Sequence, residues 1–185
     1  MHHIEQIFIN GEFVTPHGTE RVDLYNPATA QVIGQVRLAD EVDAERAVAA
    51  AKAAFPAWSE TTKQKRSAAL TRMHAAVAAR HDQLLEAIIE EYGAPAARSA
   101  WMASYPADVI AQAIEALEGF EFSFSAGAAS VQMTPLGVAG LITPWNSDAG
   151  FICGKLAAAL AAGCTALITT SEMSALQTQI ISRCL

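Results

Sequence analysis

The stretch from Leu136 to Gly150, LGVAGLITPWNSDAG, carries the pattern that decides the fold. It opens as an apolar, β-forming run and then passes through Thr-Pro-Trp-Asn, a turn without any charged group. A run rich in glycine and alanine follows at once. This order predicts a buried strand over residues 136–142, a turn at residues 143–146, and a helix over roughly residues 150–162.

The same rhythm repeats directly afterwards. Gly163 is placed to end the predicted helix, and residues 164–168 form a second short apolar run. Ser174 and Gln177 have the spacing of a capping box, which predicts the start of another helix. Alternating strands and helices indicate a parallel, doubly wound sheet. We therefore predict an α/β fold in which residues 136–185 form the first two β-α units of a Rossmann-like sheet, incomplete with only two strands.

The N-terminal part of the chain is predicted to begin as β structure. Apolar residues 7–9 lead into Asn10-Gly11, the pair that favours a tight type I′ turn, and residues 13–14 return. Further strands are expected around residues 22–24 and 32–38, which are again rich in β-branched residues. A hairpin followed by additional strands should therefore precede the first helix.

Three helices are predicted next. Asp40 has the side chain to cap the first. The second is predicted as one helix with an apolar stripe across residues 70–88, and it should stop at Gly93, a glycine C-cap with a proline beyond it. The third is predicted to open near Pro106 and to close at Gly119. The stripes are expected to be core faces.

The composition changes at residues 120–135, where Phe124 and Val131 flank a run of small residues. An extended or hairpin segment that joins two bodies fits this pattern. We therefore divide the chain into a hairpin and helical part (1–119), a bridging or oligomerisation segment (120–135), and the start of the parallel sheet (136–185).

The bulk composition excludes several classes of protein. Hydrophobic residues make up 52% of the chain, and the formal net charge is -7, which argues against a nucleic-acid-binding protein. A spanning helix is not expected from the apolar run at residues 151–168, because it contains Lys155 and two glycines. Three cysteines, an odd number without a CxxC pair, favour a reducing compartment, and we expect the protein in the cytoplasm. No metal site is predicted.

Ligands of doubly wound sheets bind beyond the carboxyl ends of the strands. Two polar turns are predicted there, one at residues 143–146 and one at residues 169–172. In the first turn Asn146 offers a neutral N–H donor, which suits a developing oxyanion. The alternative interpretation is that Asn146 merely caps the following helix.

The chain resembles the NAD(P)-dependent aldehyde dehydrogenases, and it looks like their N-terminal portion. The resemblance runs its whole length, through FINGEFV, YNPATAQVIGQV, AVAAAKAAFPAWS, PLGVAGLITPWN and KLAAALAAGCTALITTSE. Its most specific part is the ITPWN turn, which Lys155 of the KLA motif follows nine residues after Asn146. The resemblance implies NAD or NADP as cofactor, an aldehyde as substrate, and a homo-oligomer.

Site residues follow from the same resemblance. The first turn would lie along the nicotinamide cofactor, and Asn146 would also donate to the oxyanion formed when a cysteine attacks the aldehyde. The second turn would bind the adenosine ribose, although threonines stand at 169 and 170 where the family has Lys and Pro. The implied cofactor-contacting residues are Ile142, Thr143, Pro144, Trp145, Asn146, Thr169, Ser171 and Glu172.

The family's nucleophilic cysteine, its general-base glutamate and its glycine-rich turn are expected further along than this chain extends, so the catalytic domain is absent. Cys153, Cys164 and Cys184 fall on core patterns and are expected to be packed, unreactive thiols. Two hypotheses follow. The chain is the N-terminal cofactor-binding part of an aldehyde dehydrogenase, or it is an inactive truncated relative that at most binds nucleotide or pairs with other subunits.

Overall fold

The computed structural model describes all residues from Met1 to Leu185. The chain forms nine strands and six α-helices, together with a π-helical turn, Ile88–Tyr92, and a 3-10 turn, Glu172–Ser174. The strands are β1 (His2–Ile4), β2 (Ile7–Ile9), β3 (Glu12–Val14), β4 (Arg21–Asn26), β5 (Gln31–Arg37), β6 (Ser123–Ala126), β7 (Ala129–Gln132), β8 (Val138–Ile142) and β9 (Thr165–Thr169). The helices are α1 (Glu41–Ser59), α2 (Lys63–Ala78), α3 (His81–Ala87), α4 (Ala96–Gly119), α5 (Asp148–Ala161) and α6 (Ala175–Ser182).

The N-terminal hairpin and the first helix cap are confirmed. β2 and β3 pair antiparallel through Asn10 and Gly11, whose φ values of 55° and 82° are those of a type I′ turn. Separately, β1, β5 and β4 form a three-stranded sheet. At the start of α1 the Asp40 carboxylate accepts hydrogen bonds from the backbone N–H groups of Val42 and Asp43, and Asp43 completes a capping box. Local turn and cap chemistry therefore acts here as the sequence indicates.

The single helix predicted across residues 70–88 is wrong. The structure has two helices, α2 and α3, separated by Ala79 and Arg80, and a π-helical turn that ends at Gly93 with φ 69°. No glycine or proline marks the break between the two helices. Leu70 and Leu84 nevertheless reach one core and are fully buried, so the change of direction is set by tertiary packing.

The predicted start of the third helix is also wrong. α4 begins at Ala96, directly after Pro95, and it carries Pro106 in its interior. An interior proline removes one backbone hydrogen bond and costs a helix about 3 kcal/mol. The turns before it are retained because Met102 and Ala103 are buried in the main core, where their packing offsets that cost. The predicted end at Gly119 is confirmed.

The parallel β8–β9 pair confirms the predicted α/β class, and it is a two-stranded sheet. Its register pairs Val138 with Thr165 and Ile142 with Thr169. One face packs on α1, where the Thr165 hydroxyl donates to the Ala51 carbonyl at 2.8 Å. The other face packs through Ala166 and Ile168 on the core that α2, α4 and α5 build. Both outer edges of the pair lack a neighbouring strand.

Residues 120–135 form an exposed antiparallel hairpin, β6–β7, as one of the two predicted alternatives. Elsewhere, Gly163 ends α5 with φ 83°, which confirms the predicted stop. None of the helices has the length and apolar character needed to cross a bilayer.

Candidate functional site

The two polar turns lie side by side at the carboxyl edge of the parallel sheet. Ile142 is paired with Thr169, and the next N–H, that of Thr143, donates to the Thr169 carbonyl at 3.0 Å. The structure therefore brings residues 142–146 next to residues 169–172. Parallel strands place successive carboxyl ends at one edge, so this adjacency follows from the order of elements.

Most of the predicted site residues are open to solvent. Ile142 is 75% exposed and Trp145 44% exposed, and the other exposed members are Pro144, Asn146, Thr169 and Glu172. Ser171 is half-buried. Thr143 is the exception, because its side chain is buried. Its hydroxyl has no partner that meets both the distance and the angle of a hydrogen bond. The edge thus offers an apolar wall, a neutral amide and a carboxylate.

Asn146 does not cap the helix that follows it. The N-cap residue of α5 is Ser147, which adopts φ 70°, and no side chain caps this helix. The Gly150 and Phe151 N–H groups bond instead to the main-chain carbonyl of Ser147. The structure therefore contradicts the alternative capping role and leaves the exposed Asn146 amide available to a ligand.

Lys155 engages the first turn from α5. Its ammonium group donates to the Ile142 carbonyl at 2.7 Å, although the side chain is largely exposed. This carbonyl is the last one of β8, so the contact holds the end of the strand against the helix. Lys155 is therefore an exposed lysine that also supports the turn. Its position on an apolar helix did not indicate this contact.

Trp145 connects the first polar turn to the π-helical turn of the N-terminal part. Its ring packs against Tyr92 with centroids 5.2 Å apart and an interplanar angle of 54°. Together with Glu172 it lines a cavity of about 460 Å³ that β4 and the π-helical turn close on the other side. Glu172 also borders a larger cavity of about 850 Å³, shared with Thr169 and Ser171 and walled by the β2–β3 hairpin, α1 and α6.

A buried carboxylate that the sequence analysis missed lies beneath the turns. Asp148 is fully buried, and its Oδ2 accepts hydrogen bonds from the Ser174 and Thr178 hydroxyls, both at 2.9 Å. Burial raises the pKa of Asp148, against the opposing effect of the Thr143, Ser174 and Thr178 hydroxyls. Oδ1 has no hydrogen-bond partner. The sequence signal that could have identified Asp148 is an acidic residue at the start of an otherwise largely apolar helix.

The predicted capping box at Ser174 and Gln177 is wrong. Ser174 is the N-cap residue of α6 but makes no capping bond, because the N–H groups of Leu176 and Gln177 donate to Glu91 instead, while its own hydroxyl donates to Asp148. Gln177 is fully buried, and its Oε1 accepts from the Ala149 N–H at 3.4 Å. Both polar side chains thus contact the first turn of α5, and the Ser174 hydroxyl also lies 3.0 Å from the Ser171 carbonyl.

Glu91 caps α6 in their place. Its carboxylate accepts from the N–H groups of Leu176 and Gln177 at 2.8 and 2.9 Å, across 85 and 86 residues of sequence. Burial raises the pKa of Glu91 to about 7, and the Asp148 carboxylate adds to that rise, while the two backbone bonds and the Gln177 amide oppose it. No local pattern marks this residue, since its partners come from the far end of the chain.

The three thiols are not placed for nucleophilic catalysis. Cys153 is fully buried and Cys164 is 8% exposed, and burial raises the pKa of Cys153. Burial also raises the pKa of the half-buried Cys184, against the opposing effect of Arg80. A thiolate is the reactive form of cysteine, and these surroundings disfavour it.

Comparison of the sequence with known proteins identifies the family of the chain. The aldehyde dehydrogenase family profile matches residues 13–185, nearly the whole chain. The chain belongs to the aldehyde dehydrogenase family. A 3-succinoylsemialdehyde-pyridine dehydrogenase from Pseudomonas sp is 36% identical over 185 residues, which are 99% of this chain and 39% of that protein.

Solved aldehyde dehydrogenase structures share the fold. One from Bartonella henselae superposes with a TM-score of 0.93 at 26% identity, over 100% of this chain and 40% of that one. A mutant aldehyde dehydrogenase C from Pseudomonas syringae, solved with NAD⁺ and octanal, gives a TM-score of 0.91 at 32% identity, over 98% and 38%. The chain therefore spans about two fifths of the length of the aldehyde dehydrogenases that it matches.

Proposed function

We propose that this chain supplies the cofactor-contacting turns and the oxyanion donor of an enzyme that oxidises an aldehyde to a carboxylic acid with NAD or NADP. The observation that carries the proposal is the exposed, uncommitted amide of Asn146 at the carboxyl edge of the parallel sheet. A neutral N–H donor stabilises the negative charge that develops on an aldehyde oxygen when a nucleophile attacks, and it does so without acting as an acid.

The surrounding residues fit the less charged parts of a nicotinamide dinucleotide, which accepts a hydride from the substrate when bound. Ile142 and Trp145 present apolar surface, and the exposed Glu172 carboxylate can accept hydrogen bonds from ribose hydroxyls. The exposed Thr169 supplies no positive charge. We therefore infer weak binding by this chain alone, with the negative Glu172 disfavouring a 2′-phosphate more than a 2′-hydroxyl.

The attacking thiolate and the general base of the proposed reaction come from outside these residues, because the three thiols here are packed away. That packing equally supports the second candidate, an inactive module that binds nucleotide or pairs with other subunits. In either case the exposed β6–β7 hairpin is the proposed bridging segment of a homo-oligomer, residues 1–119 and 136–185 form the cofactor-binding part, and the unpaired cysteines support a cytoplasmic location.

The native gene product tests the two candidates. An intact mass well above 19.6 kDa, with NAD(P)-dependent oxidation of aldehydes, supports the enzyme, and a product of about 19.6 kDa without turnover supports the module. In an active product, Asn146→Ala should lower kcat by about 10²–10³, because it removes the oxyanion donor. The control is Gln83→Ala, which removes another exposed amide, on α3. Equal turnover in the Asn146 variant would refute the oxyanion role.

A further inference from the structure

Asp148 connects the two turns from below. It lies two residues after Asn146, at the first position of α5, while the hydroxyls that it binds belong to Ser174 and Thr178, in the segment that follows Glu172. The adjacent Ala149 N–H bonds to the side chain of Gln177. Both turns are therefore anchored to one buried carboxylate, in addition to the main-chain bond between Thr143 and Thr169.

This carboxylate is held without a counter-charge. The groups that face it are the hydroxyls of Thr143, Ser174 and Thr178, and the carboxylate of Glu91, which has the same sign, interacts with it electrostatically. A buried acid without a cation is unfavourable for folding, and a serine or alanine at a helix start would avoid that cost. What the acid adds is one acceptor for two hydroxyls of the segment after the opposite turn, which otherwise have only the Ser171 and Ser174 carbonyls, at 3.0 and 2.9 Å, within reach.

We propose that Asp148 is a positioning residue that fixes the nucleotide-contacting turn at Asn146 relative to the ribose-contacting turn at Glu172. This inference rests on the proposed cofactor-binding function. Asp148 itself is fully buried and touches no ligand, so its effect is transmitted through Ser174 and Thr178. A shift of the second turn would move Glu172 away from the ribose while leaving the first turn's contacts in place.

The test compares Asp148→Ala with Asp148→Asn in the full chain, by amide exchange without ligand and by calorimetric titration with NAD. Alanine removes both hydrogen bonds, whereas the amide oxygen of asparagine can still accept from both hydroxyls. Thr178→Val and Thr178→Ser form a milder matched pair should the alanine variant fail to fold. The control is Asp43→Asn, which alters an equally buried carboxylate on α1 whose backbone hydrogen bonds come from the N–H groups of His17, Gly18 and Asp40 and from neither turn.

We expect Asp148→Ala and Thr178→Val to accelerate amide exchange at the hydrogen-bonded N–H groups of Thr143, Met173 and Ser174 by about tenfold, the scale of one charge-assisted hydrogen bond, and to weaken NAD binding similarly. Asparagine and serine should restore both values, and the Asp43 variant should leave both turns unchanged. Uniform acceleration over the whole chain, or no restoration by the conservative variants, would overturn the inference. A wild-type chain that does not bind NAD would refute the proposed function, while the exchange data still decide whether Asp148 positions the turns.

Discussion

The helical layer and the parallel strand pair both contribute apolar side chains to the core, but they differ in completeness. In the helical layer Leu70, Leu84, Ile88 and Ile110 are 0% exposed, because the stripes of α2, α3, α4 and α5 cover one another. In the strand pair Ile142 is 75% exposed, and both edges present unpaired backbone groups. Helices satisfy their own backbone hydrogen bonds, whereas strands need neighbours. Apolar side chains are thus buried in the helical layer, whereas Ile142 of the strand pair stays exposed.

The largest expected difference between the regions is functional. We predict that this 185-residue chain alone has no aldehyde dehydrogenase activity, because Cys153 and Cys164 are buried, Cys184 is half-buried, and the strand edge carries no nucleophile. Purified protein is assayed with NAD or NADP and a panel of aldehydes. Turnover that disappears on changing Cys153, Cys164 or Cys184 to Ser would contradict this prediction.

The second difference concerns protection and association. We expect residues 40–119 to exchange amide protons much more slowly than β8 and β9, and we expect the chain to self-associate through its unpaired strand edges. Hydrogen exchange and analytical sedimentation measure the two properties on the same sample. A monodisperse monomer with strongly protected amides in β8 and β9 would show that the strand pair is complete by itself.

A matched pair of substitutions sharpens the comparison in terms of stability. Ile110→Ala should lower the free energy of unfolding by about 2–5 kcal/mol, because it opens a cavity in a fully packed core. Ile142→Ala should change it by less than about 0.5 kcal/mol, since most of that side chain is already in water. Chemical denaturation gives both values. Equal losses at the two positions would mean that Ile142 is buried in solution by association.

Glu91 joins the π-helical turn to α6 and makes that joint depend on pH. Its pKa is about 7 in the folded chain, so between pH 4.5 and 7 the native state holds a proton that the unfolded state has lost. The associated stability is fully present below pH 4.5 and is lost as pH rises through about 7. We expect a loss of up to about 3 kcal/mol, measured as the difference between wild type and Glu91→Gln in urea unfolding across this range.

The Glu91→Gln reference keeps an oxygen that can accept from the Leu176 or Gln177 N–H, and it leaves Asp148, the neighbouring carboxyl, in both proteins. The subtraction therefore isolates the proton on Glu91. Parallel stability curves for the two proteins between pH 4.5 and 7 would show that Glu91 has an ordinary pKa.

The smallest expected effect lies at the strand edge. Thr169→Lys should tighten nucleotide binding by about tenfold, because it returns a positive charge to the ribose-contacting turn, and the gain should be larger for NADP than for NAD. Calorimetry with both nucleotides measures the change, and Thr169→Gln serves as an uncharged control of similar length. Unchanged affinity in a chain that does bind nucleotide would show that a positive charge at position 169 does not strengthen binding.

The elements that the sequence predicts correctly are those with a local cause. Asn10 and Gly11 make the hairpin turn, Asp40 caps α1, and Gly163 stops α5, each through its own backbone conformation or side-chain reach. The parallel pairing of β8 with β9 follows from the spacing of strands and helix. The resemblance to aldehyde dehydrogenases, and with it the position of the Asn146 turn, could likewise be read without coordinates.

Only the tertiary structure decided where helices break and where buried acids lie. The separation of α2 from α3 and the early start of α4 before Pro106 both depend on packing that no local residue announces. Ser174 makes no capping bond because Glu91, 85 residues before Leu176 in sequence, accepts from the start of α6, and the Ser174 hydroxyl donates to Asp148, 26 residues away. Local signals reach about one helical turn, so contacts between distant segments are set by the fold as a whole.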